Sequence, residues 1–147
     1  MPTYLTPLLS GEDDIVFVVE GDEVIRSALH FILDDQNETH SFSDLDQAFA
    51  EATNGMPAII LLGIGMAQNN GESVLADVAK RLPGSRILIV ANSINDPLAV
   101  ASLKWGAHGV LGKPITFDSV RGKVDALLQP RELSPTMLGL LPLSAAW

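Results

Sequence analysis

Ile15-Val16-Phe17-Val18-Val19-Glu20-Gly21-Asp22-Glu23-Val24-Ile25-Arg26 changes its pattern partway along. The first five residues are a β-branched and aromatic run bounded by acids, which reads as a buried strand. From Val24 onward the apolar residues Val24, Ile25, Ala28, Leu29, Ile32 and Leu33 recur at helical spacing, predicting an amphipathic helix over Asp22–Asp34. One strand running into one helix is half of a βαβ unit, and the same change of period returns along the chain. Thr39–Phe42 is a weak strand, followed by a helix over Asp44–Ala52 that Ser43 can cap, with Leu45, Ala48, Phe49 and Ala52 on one face. After the turn Asn54-Gly55-Met56-Pro57 comes the apolar strand Ala58–Leu62, then a glycine-bearing loop, Gly63–Gly71. Val74, Leu75, Val78, Ala79 and Leu82 mark a helix that Pro83-Gly84 stops. Ile87–Ala91 is a further apolar strand, and a helix over Asp96–Trp105 carries Leu98, Ala101 and Leu103. Val110-Leu111 is a short strand between Gly109 and Gly112, and Phe117–Leu128 is the last helix. Five strand–helix repeats predict an α/β fold with a parallel sheet and helices on both faces.

Composition narrows the function. The chain has 147 residues, enough for one domain with a real core. Nine Lys+Arg against 18 Asp+Glu give a net charge of −9, which argues against nucleic acid as a partner. Charged residues make up 18%, below the roughly 25% usual for soluble domains, so some apolar surface is expected to be covered by a partner. No cysteine is present, which excludes disulfides, thiolate zinc sites and a Cys nucleophile. The three histidines, His30, His40 and His108, are scattered and predict no metal site; His108 reads as a surface residue. Met1–Ser10 lacks the basic start of a signal peptide, and no apolar run is long enough to span a membrane, so a soluble, cytoplasmic protein without membrane contact is expected.

In a doubly wound sheet, ligands and chemistry collect beyond the carboxyl ends of the strands. The loops there carry a recognisable set of residues: Glu20-Gly21-Asp22 with Arg26, then Gly63-Ile64-Gly65-Met66-Ala67 with Gly71, then Ala91-Asn92, then Lys113-Pro114 preceded by Trp105-Gly106-Ala107-His108-Gly109-Val110-Leu111. In order and spacing these fragments resemble the receiver domain of bacterial two-component response regulators over roughly Asp14–Gln129. The resemblance implies a flavodoxin-like (βα)5 three-layer sandwich with strand order 2-1-3-4-5, and a cis bond at Lys113-Pro114. It also implies a pocket made of Glu20, Gly21, Gly63, Gly65, Ala91 and Lys113.

The chain departs from the family pattern at nearly every reactive position. Gly63 stands where the family has its phosphoaccepting Asp, and a glycine offers no carboxylate nucleophile. Gly21 and Gly63 replace two of the carboxylates that would hold Mg²⁺. Glu20 alone remains, one methylene longer than Asp, so weak or absent Mg²⁺ binding and no other cofactor are expected. Ala91 removes a hydroxyl, and Val110 replaces the switching aromatic. The reading is an Asp-less pseudo-receiver that is not an enzyme, with Lys113 expected to pair with Glu20. Asp22 reads as the cap of the first helix and Asp118 as compensation of the last helix dipole, while Glu12, Asp13 and Asp14 read as a solvated segment. The glycine spacing Gly63, Gly65, Gly71 does not make a dinucleotide loop and reads as a plain flexible one.

Residues 1–13 are expected to be an N-terminal extension, 14–129 the receiver-like domain, and 130–147 a tail with no output domain. The tail holds Pro135 and Pro142, which exclude one long helix, yet it is apolar at Met137, Leu138, Leu140, Leu141, Leu143 and Trp147. Such a segment is expected to be buried on its own domain or on a second copy, giving a homodimer. Trp105 and Val110 are further candidates for a partner-facing surface. The function expected is that of an orphan receiver acting by protein–protein interaction, with a sensor histidine kinase or another signalling protein as partner. Two alternatives stand beside it: phosphorylation at a non-standard carboxylate such as Asp22 or Glu20, and a small molecule filling the pocket emptied at Gly63 and Ala91.

Overall fold

The computed structural model describes residues 14–128. Five strands, β1 (Ile15–Val19), β2 (Glu38–Phe42), β3 (Ile59–Gly63), β4 (Arg86–Ala91) and β5 (Gly109–Gly112), form one parallel sheet in the order β2-β1-β3-β4-β5. Five helices alternate with them: α1 (Glu23–Leu33), α2 (Leu45–Glu51), α3 (Gly71–Arg81), α4 (Pro97–Lys104) and α5 (Phe117–Leu128). This is the predicted doubly wound architecture with the predicted strand order. No described helix is long and apolar enough to cross a membrane.

The central strands are apolar without interruption because both of their faces are covered. Successive side chains point to opposite faces. Phe17, Val19, Ile60, Leu62, Ile87 and Ile89 therefore pack under α2, α3 and α4, against Ala48, Phe49, Leu75, Val78 and Ala99. Val16, Val18, Ile59, Leu61, Leu88 and Val90 pack on the other face against Leu29, Ile32 and Leu33 of α1 and Val120 and Val124 of α5.

Local chemistry sets the helix ends. The Asp22 side chain accepts from the backbone N–H groups of Val24 and Ile25, the cap expected for α1. At α2 the expectation of Ser43 is corrected: Asp44 is the N-cap and accepts from Gln47 N. A carboxylate at that position also favours the positive end of the helix dipole. Asp96 caps α4 ahead of Pro97, whose missing N–H costs nothing in the first turn. Gly84 (φ 86°) and Gly106 (φ 114°) take the left-handed conformation beyond α3 and α4, which glycine adopts at little cost.

Three other expectations are corrected. Val24 is 78% exposed and does not belong to the buried stripe of α1. In α4 the buried residues are Ala99 and Ser102, while Leu103 faces outward. Ser102 is tolerated there because its hydroxyl donates to Leu98 O at 2.8 Å. The stretch after β3 is not a flexible loop: Gly63 closes the strand and Ile64–Ala67 forms a 3-10 turn.

Candidate functional site

The carboxyl ends of β1, β3, β4 and β5 meet around a cavity of about 180 Å³. Glu20, Asp22, Gly65, Ala91, Asn92 and Lys113 line it, with Ile25, Ile64 and Val90 as its apolar wall. Of the predicted pocket residues, Glu20, Gly65, Ala91 and Lys113 are therefore brought together. Gly21 is turned away from the cavity, with the Met66 methyl nearest to its missing side chain. Gly63 does not line the cavity either; the Glu20 carboxylate lies over it. The peptide Lys113-Pro114 is cis.

Glu20, the first residue after β1, is held at both its side chain and its backbone. Its Oε2 accepts from the Asp22 backbone N–H at 3.0 Å, and its backbone carbonyl accepts from Arg26 Nη1 at 2.7 Å. β1 is thus continued by a tight, side-chain-braced turn into α1. The expected Lys113–Glu20 ion pair is not formed: the ion pairs among the described residues are His40–Glu38, Arg81–Asp77 and Arg121–Asp125. The reason is local. The Glu20 carboxylate folds back over Gly63 onto the Asp22 amide rather than extending toward β5, and Lys113 is left exposed at the rim.

The pocket offers a magnesium ion fewer free carboxylate oxygens than the resemblance implies. Both Asp22 and Glu20 already accept from backbone amides of the β1–α1 turn, and Asp22 Oδ1 is shared between two of them. A hard divalent cation asks for several free oxygens at octahedral positions. Among the described residues no group of three or more His, Asp or Glu side chains could hold a metal ion.

The candidates for partner contact divide. Trp105 is half-buried, and its indole lies over Gly71, where an added Cβ would come within 2.6 Å of Cζ3. Val110 is corrected by its burial: at 5% exposure its side chain belongs to the core and presents no surface. Met137, Leu138, Leu140, Leu141 and Trp147 lie outside the described residues. His108 is exposed as expected, and its Nδ1 accepts from Ile87 N at 2.9 Å.

Sequence reasoning missed a second, wider cavity of about 590 Å³ along α1, lined by Arg26, Ser27, His30, Phe31, Ser41 and Phe117 among others. His30 Nδ1 and Ser41 Oγ are hydrogen-bonded at 2.5 Å across it, and Phe31 is 80% exposed. The available signal was Phe31 itself, a large apolar residue off the buried stripe of its helix.

Known proteins place this geometry. A family model described as the response regulator receiver domain matches residues 16–125. The transcriptional regulatory protein FixJ of Bradyrhizobium diazoefficiens is 26% identical over 118 residues, covering 80% of this chain and 58% of FixJ. The transcriptional regulatory protein LnrK of Bacillus subtilis is 24% identical over 131 residues, covering 84% of this chain and 60% of LnrK. The chain thus spans little more than half the length of these curated relatives. Among solved structures, full-length FixJ from B. japonicum superposes with a TM-score of 0.67 at 26% identity, covering 84% of this chain and 61% of that one. A response regulator from Thermotoga maritima superposes with a TM-score of 0.70 at 15% identity, covering 79% of this chain and 98% of that one, a likeness of fold. With the family matched over most of its length and the strand order and pocket in place, the chain belongs to the response regulator receiver domains, the signalling modules of two-component systems.

Proposed function

We propose that this receiver signals by protein–protein interaction without taking a phosphoryl group on β3, as an Asp-less pseudo-receiver. One observation supports the reading above others: β3 ends in Gly63, where the family pattern carries its acceptor, and glycine has no side-chain oxygen to offer. Formation of an acyl phosphate needs a carboxylate nucleophile in line with phosphorus. The energy for regulation then comes from differential binding of two states by a partner, and a sensor kinase or another signalling protein is the partner class proposed. The test is incubation with acetyl phosphate and Mg²⁺, followed by intact mass measurement. The expected result is an unmodified chain; a stoichiometric, hydroxylamine-labile phosphoryl adduct overturns the reading.

A second reading has a specific observation in its favour. The Glu20 carboxylate lies against Gly63, close to where an acceptor side chain would start. If Glu20 were the acceptor, the adduct would form on the wild type and be lost in Glu20→Gln.

We further propose a homodimer held by the apolar tail, with the α4 face around Trp105 as the second contact. In light scattering the full chain is expected at dimer mass and a chain ending at Gln129 at monomer mass. A truncated chain that stays dimeric removes the tail from the interface.

A further inference from the structure

We propose that Glu20 and Gly63 are a matched pair, in which the missing side chain of β3 is the space that the longer side chain from β1 fills. Glu20 thereby acts as a positioning residue that locks the β1–α1 turn. The sheet register brings them together. Val19 of β1 is paired with Leu62 of β3, so the residues that follow, Glu20 and Gly63, leave the sheet side by side.

The backbone does not require glycine here. Gly63 has φ −61° and ψ 139°, an extended conformation that any residue adopts. What a side chain would displace is the end of Glu20. A Cβ on Gly63 would overlap its Oε1, with Cδ at 2.9 Å and Oε2 at 3.2 Å. The other glycines near the pocket differ. A Cβ on Gly21 would meet only the Met66 methyl, at 3.8 Å, and one on Gly65 would meet nothing within 4 Å. Of these three, only Gly63 has its side-chain space occupied by another residue.

The occupying carboxylate is also tethered. Oε2 accepts from the Asp22 amide at 3.0 Å, and Asp22 is the cap of α1. A side chain on residue 63 would push the flexible end of Glu20 away and break this hydrogen bond. An Asp at position 20, one methylene shorter, would leave the space over Gly63 open. The length of residue 20 and the bareness of residue 63 are therefore one feature. This goes beyond the functional reading and does not depend on it, because the pairing holds whether or not the pocket accepts phosphate.

The experiment is a double-mutant cycle in the full chain, read by urea unfolding: wild type, Gly63→Ala, Glu20→Ala and the double variant. In the Glu20→Ala background, Gly63→Ala is expected to raise the folded-to-unfolded ratio roughly two- to fivefold, because alanine restricts the unfolded chain. In the wild-type background that gain is cancelled or reversed, since displacing Glu20 forfeits a hydrogen bond worth roughly fivefold. Glu20→Asp is expected to behave as Glu20→Ala, and it replaces that variant if the latter does not fold. The Asp22 amide resonance reports the tether directly and is expected to move in Gly63→Ala. An equal effect of Gly63→Ala in both backgrounds, or a more adverse one without Glu20, overturns the proposal, as does an unmoved Asp22 amide. The acetyl phosphate experiment is blind to this outcome, so either proposal can fail alone.

Discussion

Gly63 concentrates the residue-scale chemistry, because a substitution there is felt first by Glu20. Gly63→Asp would set a second carboxylate against the first, and two unit charges about 4 Å apart repel by roughly 1 kcal/mol in water and more near a protein surface. Stiffening of the unfolded chain offsets part of this, by about 0.4–1 kcal/mol. The net expectation is a lower melting temperature in the absence of Mg²⁺, measured by thermal unfolding of the full chain; an unchanged or raised value contradicts it. The bareness of Gly63 was legible in the sequence as a departure from the family pattern. That Glu20 covers it was not, because the contact depends on the β1–β3 register, which joins positions far apart in the chain. The expected Lys113–Glu20 pair failed for a related reason: a backbone amide two residues away competes for the same carboxylate.

For the secondary-structure elements, the caps carry the testable content. Asp44 accepts from Gln47 N at 3.0 Å, while Ser43 is exposed and outside the cap. Asp44→Ala is therefore expected to cost about 1 kcal/mol in urea unfolding. Ser43→Ala is expected to stay within about 0.5 kcal/mol of the wild type. The sequence could not separate these two adjacent cap formers, since both residue types suit the role and only the backbone turn decides. Strands β1, β3 and β4 were legible because their apolar runs are long and bounded. α4 was misread on its face because its buried residues, Ala99 and Ser102, are small and carry no hydropathy signal. The 3-10 turn after β3 was hidden by its shortness and by glycines that read as a loop.

Across the whole molecule, one buried cation ties distant parts together. Arg121 of α5 is 7% exposed and donates to Asn37 Oδ1 at 2.9 Å, Gln36 Oε1 at 3.1 Å and Asp125 Oδ1 at 2.6 Å. It joins the last helix to the turn between α1 and β2, and no local pattern announces such a link. Arg121→Ala is expected to destabilise the chain by about 2–3 kcal/mol in urea unfolding, since buried polar partners lose their donor. Arg121→Lys is expected to recover only part of this, because an ammonium lacks the planar fork. The layered architecture, by contrast, was legible from five repeats of strand and helix, and the likeness to the receiver family from the order and spacing of the fragments at the strand ends.

The strand order leaves β2 and β5 at the two borders of the sheet. β5 is four residues long with a glycine at each end, and β2 carries the Glu38–His40 pair. Brief and polar margins of this kind discourage neighbouring molecules from adding strands. Among the described residues, the two sheet edges therefore give an added strand little to pair with, and the helices make up the broader outer surface.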